Sequence, residues 1–501
     1  MAKAIDVLLI NPGDRKKTYQ DLGDEFCAIE PPLFAGLYAT YLRNHGFTPA
    51  IYDAPAARAS AEETARVACE DYAPQLVVLV VYGLQPSAST QNMGAAGRIA
   101  RQIKARRPEL PIMMVGTHPA ALPERTLREE AIDFVCDLEG PVTIGKTIAA
   151  IKAIEAGEAD GADWAAIPSL WRRDGAAIVK PQSQEPLIRD LDAELPGVAW
   201  DLLPMTLYRA HNWHCFDHIA ERSPYVSVHT SLGCPYKCSF CCINAPFGKS
   251  SYRMWRPETV VKEIDHLVEV YGVKNIKIAD EMFVLNRRHV AGICELLAER
   301  PYRVNIWAYA RVDTVDDDLL PLLKRAGVNW LCLGIESASD HVRDGAEKRY
   351  ANQDIIDVVR RIQAAGIYVI GNYIFGLPDD SLERMQQTLD LALELNCEFA
   401  NFYSAMAYPG SGLYRAAIEQ GLTLPETWDD FSQHGYNCRP LDNRYVSGHD
   451  ILAFRDQAFN RYFTHPPYLE LVRRKFGPEV VDHIGRMIAI PLRRKALEAQ
   501  P

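Results

Sequence analysis

The segment that most limits what this chain can become is Thr230-Ser231-Leu232-Gly233-Cys234-Pro235-Tyr236-Lys237-Cys238-Ser239-Phe240-Cys241-Cys242. It places three thiols at i, i+4 and i+7, directly after an apolar run and in a loop punctuated by Gly233 and Pro235. Closely spaced thiolates are soft ligands that select zinc or iron–sulfur centres. A structural zinc site closes four ligands, whereas a cubane [4Fe–4S] cluster can take three cysteines and leave one iron open for chemistry. Two other readings stand beside it. One is a zinc knuckle completed by Cys242, Cys215 or His229. The other is a set of thiols packed as small hydrophobes. Cys242 offers an alternative third ligand, but it follows Cys241 directly, so its side chain is expected to point apart and pack behind the loop.

The rest of the composition narrows the setting. The chain has 501 residues, 48% of them apolar and 24% charged, with a formal net charge of −11 and 12 cysteines. At roughly 150 residues per domain this suggests about three domains, each able to bury a core. The longest apolar run, Leu76 to Tyr82, falls far short of the ~20 residues of a membrane-spanning helix. Met1-Ala2-Lys3-Ala4-Ile5-Asp6 shows no signal-peptide pattern. We therefore expect a cytoplasmic protein with no membrane partner. An acidic balance without a dense basic tract argues against a nucleic-acid partner, because phosphate binding relies on Lys and Arg. In a reducing compartment the cysteines are not expected to form disulfides.

Hydrophobic patterning divides the chain into an α/β first domain (1–155), a linker (156–222), a second βα series (223–420) and a helical C-terminal region (421–501). In the first domain, short β-branched runs such as Val7 to Ile10, Leu76 to Tyr82 and Ile112 to Val115 alternate with amphipathic stretches such as Leu33 to Asn44 and Ala96 to Arg106. Five such units predict a flavodoxin-like, doubly wound parallel sheet that binds ligands outside the carboxyl ends of its strands. Those ends carry Pro12, Tyr82-Gly83, Gly116-Thr117-His118 and Glu139-Gly140. The linker contains a hairpin signal at Asp174-Gly175. Six strands follow, among them Val226 to Thr230, Asn275 to Ala279 and Tyr368 to Phe375. Six units without a seventh or eighth predict a partial (β/α)6 barrel with its site at the strand ends. The C-terminal aromatics, including Trp428, His434, Tyr462 and Tyr468, fit either a pocket wall or ordinary helix packing.

With those residues in view, the Cys-x3-Cys-x2-Cys loop and the aromatic Phe240 before its last cysteine resemble the radical S-adenosylmethionine (SAM) superfamily. The resemblance spans about 225 to 420. It implies that Cys234, Cys238 and Cys241 hold a [4Fe–4S] cluster. It also implies that Asp280 and Glu281 lie near the SAM amino group, Arg311 near its carboxylate, Glu336 and Ser337 near the ribose, and Ile374 along the adenine. A doubly wound domain directly before such a barrel is similar to the cobalamin-binding arrangement of B12-dependent radical SAM enzymes. That likeness places Pro12, Tyr82, Gly83, Gly116, Thr117, His118, Glu139 and Gly140 around the corrin. One departure stands out: after the first strand the chain has Asn11-Pro12-Gly13-Asp14-Arg15-Lys16, not the Asp-x-His-x-x-Gly of cobalamin domains that bind cobalt through histidine. The lower face of the corrin is then expected under Tyr82 to Gln85.

The resemblance implies a methyltransferase that uses the cluster, SAM and cobalamin to methylate an unactivated carbon of a small molecule. A flavodoxin- or ferredoxin-type donor would supply its electron. The main alternative keeps the same cofactors for an oxidative cyclisation or ring rearrangement without methyl transfer.

Overall fold

Two separate parallel sheets carry most of the chain in the computed structural model, which describes residues 3–85, 87–157, 163–348 and 350–498. In the first sheet β1 (Lys3–Asn11), β2 (Pro49–Asp53), β3 (Tyr72–Val80), β4 (Ile112–Val115) and β5 (Phe134–Cys136) run parallel in the order β2-β1-β3-β4-β5. This is the flavodoxin-like order, whose ligand crevice opens where the winding reverses, between β1 and β3. Successive side chains point to opposite faces of a strand. Accordingly Val7, Leu9, Val78 and Val80 join one core, while Leu8, Ile10, Val77 and Leu79 join the other. Helices Leu33–Asn44 and Pro141–Glu155 cover the first face, and helix Ala88–Arg106 covers the second. Burial on both faces is why these strands read as unbroken apolar runs.

The Asp174-Gly175 signal is a turn, with Gly175 at φ +58. Its strands, β6 (Leu170–Asp174) and β7 (Ala177–Val179), pair antiparallel with each other, and β6 pairs antiparallel with β5. The first sheet thus draws on residues read from the sequence as linker. The hairpin covers the backbone edge that β5 would otherwise expose.

The second sheet contains β8 (Tyr225–Val228), β11 (Asn275–Ile278), β12 (Asn305–Ala310), β13 (Val328–Glu336), β14 (Tyr368–Phe375) and β15 (Phe399–Ser404). They are parallel and follow chain order, with β8 and β15 at the two ends. A short antiparallel ribbon, β9 (Ser231–Leu232) with β10 (Arg253–Met254), brackets the cysteine loop. The C-terminal helix Gly448–Phe463 packs on β15: Arg455 Nε donates to the carbonyl of Phe402 at 2.8 Å, and the Tyr462 hydroxyl to that of Cys397 at 2.6 Å. Tyr462, Phe463 and Tyr468 lie in the core, so this part of the aromatic C-terminal region is packing. No helix among the described residues is long and apolar enough to cross a membrane.

Two buried ion pairs join the sheets. Glu139, after β5, receives Arg253 Nη2 of β10 at 2.7 Å and Nη1 at 3.0 Å, with side-chain exposures of 2% and 12%. Glu30, before the first long helix, meets Lys277 of β11 at 3.1 Å and accepts from the Tyr225 hydroxyl at 2.9 Å. Removing one partner of a buried pair leaves an uncompensated charge and costs about 3–5 kcal/mol. Glu139→Ala should therefore lower unfolding stability by about 3 kcal/mol in urea titration. A loss below about 1 kcal/mol, the scale of an exposed pair, would contradict the clamp.

Candidate active site

The cysteine loop is held on both sides by backbone contacts. Ser239 N donates to the carbonyl of Ala346 at 3.4 Å, and Leu413 N donates to that of Ser239 at 2.7 Å. Gly233, at φ +83, sits so close to the ribbon that an added Cβ would come within 2.5 Å of the Ser251 carbonyl oxygen. Only glycine takes that conformation and approach cheaply. Cys234 is buried and Cys238 and Cys241 are half-buried. Burial pushes the Cys234 thiol up to about 11 and raises Cys238 and Cys241 as well, so the free thiols stay protonated near neutrality. Cys242 turns into an apolar cluster with Met406, Tyr408, Phe431 and Cys438, which separates it from the other three. Among the described residues no three His, Cys, Asp or Glu side chains gather closely enough for one metal ion. The donor set on the loop is three thiols from one short stretch, and that chemistry fits a cube in which each thiolate bonds a different iron.

Around the loop the barrel strand ends bring together the other expected residues, several with their polar atoms already engaged. Asp280 is buried. One oxygen accepts from Thr230 N at 2.6 Å and the other from the Thr230 and Ser231 hydroxyls at 2.5 and 2.7 Å. Its carboxyl is lowered: burial opposes ionisation, but His229 and these hydroxyl donors outweigh it. Asp280 thus fixes the start of the loop. Glu281 keeps the freer carboxyl. Burial raises it to about 8 against the pull of Lys277, with Asp280 adding to the rise. Glu336 adopts φ +64 and pairs with Lys348 at 2.5 Å. The Ser337 hydroxyl lies 3.2 Å from that of Thr388. Phe240 and Ile374 pack against the same small apolar cluster, which includes Val342 and Leu377. Arg311 lies against Cys238, with 3.9 Å from Nη1 to Sγ.

The first-domain positions divide more sharply. Tyr82, Gly83 and Thr117 line a cleft that also takes in Phe34, His229 and Glu281. Pro12 is buried at the end of β1. Three other positions, expected around the corrin, have contacts within the protein. An added Cβ on Gly116 would lie 2.0 Å from the Val81 carbonyl oxygen, so this glycine permits a backbone crossing. Glu139 is taken up by Arg253 and by Ile188 N. His118 points under the C-terminal region: its backbone N donates to Ser89 Oγ at 2.9 Å, Nδ1 meets Thr90 Oγ1 at 3.1 Å, and the ring stands edge-on to Trp428 at 4.3 Å. Burial, helped by Arg125, lowers it to about 3, and it is absent from the cleft lining. Gly140, at φ +110, opens the helix beginning at Pro141.

The cleft between the strand ends of the two sheets is narrow, with a cavity volume of about 20 Å³. Phe34 and Tyr82 stack across its first-domain side at 3.8 Å and 15°. The Tyr82 hydroxyl and His229 Nε2 are buried without a hydrogen-bond partner, while His229 Nδ1 lies 3.8 Å from Asp280 Oδ1. Buried polar atoms are normally satisfied, so these two are the cleft's available hydrogen-bonding groups. His229 and Phe34 were missed as site residues in the sequence. His229 had a local signal, since it directly precedes the anchored Thr230-Ser231 step. Phe34 had none beyond its place in an amphipathic helix.

The family model "Radical SAM superfamily" matches residues 228–392, and "B12 binding domain" matches 21–146. The uncharacterized methyltransferase PH0819 of Pyrococcus horikoshii is 30% identical over 347 residues, 69% of this chain and 71% of that protein. The chain belongs to the radical SAM superfamily and carries its B12 binding domain. This radical SAM enzyme is also 25% identical over 477 residues to the anaerobic magnesium-protoporphyrin IX monomethyl ester cyclase of Rubrivivax gelatinosus, covering 93% of this chain and 78% of that one. Its fold matches the radical S-adenosylmethionine methyltransferase TsrM of Kitasatospora setae, a structure with cobalamin and a [4Fe–4S] cluster bound. The TM-score is 0.66 at 18% identity, covering 91% of this chain and 89% of that one.

The raised Glu281 carboxyl sets a pH dependence in the metal-free protein. The unfolded chain releases this proton near the ordinary glutamate value and the folded chain only near 8. Between those values the folded state holds the extra proton, so stability falls as pH rises. Glu281→Gln removes that slope. In urea titrations at pH 5.5 and 8.5 the variant should gain on the parent at the higher pH by a few kcal/mol at most, at about 1.4 kcal/mol per pKa unit. Parallel changes in both proteins would contradict it.

Proposed function

We propose that this enzyme is a cobalamin-dependent radical SAM methyltransferase that transfers a methyl group from SAM, by way of cobalamin, to an unactivated carbon of a small molecule. The observation that carries the reading is the shared cleft. Leu232 and Gly233, at the start of the cysteine loop, line the same space as Tyr82 and Gly83 at the end of β3. A reaction that combines two cofactors at one carbon needs both held around one substrate, since most of the gain comes from fixed proximity.

In this reading Cys234, Cys238 and Cys241 hold the [4Fe–4S] cluster, and Glu281 faces SAM. Tyr82, Gly83 and Thr117 face the corrin. When bound, the cluster supplies an electron to SAM and cobalamin carries a methyl group, which is the chemistry of radical methyl transfer. The chain's own work is positional. Asp280 pins Thr230 and Ser231 so that the loop leaves β8 at a fixed angle. The Glu139–Arg253 and Glu30–Lys277 pairs hold the two sets of strand ends against one another. The Tyr82 hydroxyl and His229 Nε2 are the hydrogen-bonding groups available to what enters. The open space between these residues is only about 20 Å³, so SAM and a corrin both require the lining to part, beginning with the Phe34–Tyr82 stack. The electron source this reading requires is a flavodoxin- or ferredoxin-type protein.

The cyclase relative favours a second reading, oxidative cyclisation with the same cofactors and no methyl transfer. Product analysis separates the two. With cobalamin, SAM and substrate, methyl transfer yields S-adenosylhomocysteine alongside 5′-deoxyadenosine; deoxyadenosine alone overturns it in favour of the cyclase-type reaction. Ligand assignment has its own check. Cys234→Ala should lose SAM cleavage to background and most iron after anaerobic reconstitution, while Cys242→Ala should keep both. Equal losses in the two variants would contradict the split between them.

A further inference from the structure

Arg311 follows the end of β12, with 6% of its side chain exposed, and its guanidinium is engaged on three sides. Nε and Nη2 hold both carboxylate oxygens of Asp313, at 2.9 and 3.0 Å. The guanidinium lies over the ring of Tyr236, its carbon 3.9 Å from the ring centre. Tyr236 is itself part of the cysteine loop, two residues before Cys238. The remaining nitrogen, Nη1, donates towards the Cys238 sulfur at 3.9 Å. A guanidinium can grip a carboxylate through its Nε–Nη2 or its Nη1–Nη2 edge. Here Asp313 fills the first and Nη1 of the second is directed at the Cys238 sulfur, so the resemblance-based role as a hook for the SAM carboxylate competes with the contact to the cysteine.

We propose that Arg311 is a positioning residue for the cluster: through Nη1 and Cys238 it eases one-electron reduction, and Asp313 sets how strongly. This rests on the reading that Cys238 ligates the cluster. Reduction adds one negative charge to the cluster, and a cation about 4 Å from a ligand sulfur stabilises the reduced form more than the oxidised one. Hydrogen bonds to cluster sulfurs and local charge are known levers on iron–sulfur potentials. Tyr236 and Asp313 keep the guanidinium from swinging away, which makes the effect a fixed property of the fold. Asp313 is the counterweight, since its charge partly cancels that of Arg311 at the sulfur.

The test is potentiometric titration of the full chain, reconstituted anaerobically with iron and sulfide and without SAM or cobalamin. Dithionite supplies one electron per cluster, and EPR reads the reduced fraction. Arg311→Gln should lower the reduced-to-oxidised ratio at a fixed potential about tenfold, equivalent to about 59 mV for a one-electron couple. Asp313→Asn should shift the ratio the other way. An Arg311→Gln cluster with the parental midpoint, together with weakened SAM binding by isothermal calorimetry, overturns the proposal and returns Arg311 to the SAM carboxylate. If Arg311→Gln assembles no cluster, Asp313→Asn decides, and an unchanged or lower midpoint overturns the proposal. A parental chain that takes up no cluster overturns the cluster reading itself, and the proposal with it. An assembled cluster whose midpoint moves in neither variant overturns the proposal alone.

Discussion

The Glu139–Arg253 pair is the interaction on which the arrangement of this molecule depends. The two sheets share one apolar core, to which Val7 and Leu9 of the first and Val226 and Ile276 of the second contribute, and the pair fixes how their strand ends face. Glu139 stands at the end of a strand in the first sheet, and Arg253 stands in the ribbon that brackets the cysteine loop of the second. Joining them turns the carboxyl end of the first sheet toward the loop. Two charges buried this deeply are costly to desolvate, so the pair is worth having for the alignment it enforces more than for net stability. The Glu30–Lys277 pair repeats the device beside it, inserting an acidic side chain from the first domain against the base of β8 and β11.

Within that frame the site follows from where parallel strands end. Loops after the strands of a partial barrel gather on one rim, which is why the thiols, Glu281, Arg311 and Glu336 meet although they are spread over about a hundred positions. The rim is strongly organised. Asp280, Glu336, Ser337 and Arg311 each have partners within the protein, whereas the Tyr82 hydroxyl and His229 Nε2, in residues that line the cleft, have none.

How much of this was legible in the sequence depended on whether a signal was local. The thiol spacing, the β3 run and the Asp174-Gly175 turn are each contained in a few residues, and the structure shows each where it was read. The fold class follows, because strands buried on both faces lose the alternation that a half-exposed sheet would show. The roles of His118 and Glu139 were not legible in this way. Both sit at strand ends, where ligand contacts are expected, but Trp428 and Arg253 claim them from more than a hundred residues away. A lone charged or aromatic side chain in a sequence carries no record of such a partner. The same limit hid Phe34 and Lys277, which become informative only once the two sheets face each other.

The central claim is that one cleft, between the two sets of strand ends, brings the iron–sulfur cluster and cobalamin together. It is tested most directly by EPR of the enzyme loaded with both, with cobalt as Co(II) and the cluster reduced by one electron. Two paramagnets facing one cleft must interact, so the account predicts that the cobalt signal broadens and relaxes faster when the cluster is reduced. A cobalt spectrum unchanged by reduction of an assembled cluster would place the two centres apart and contradict it.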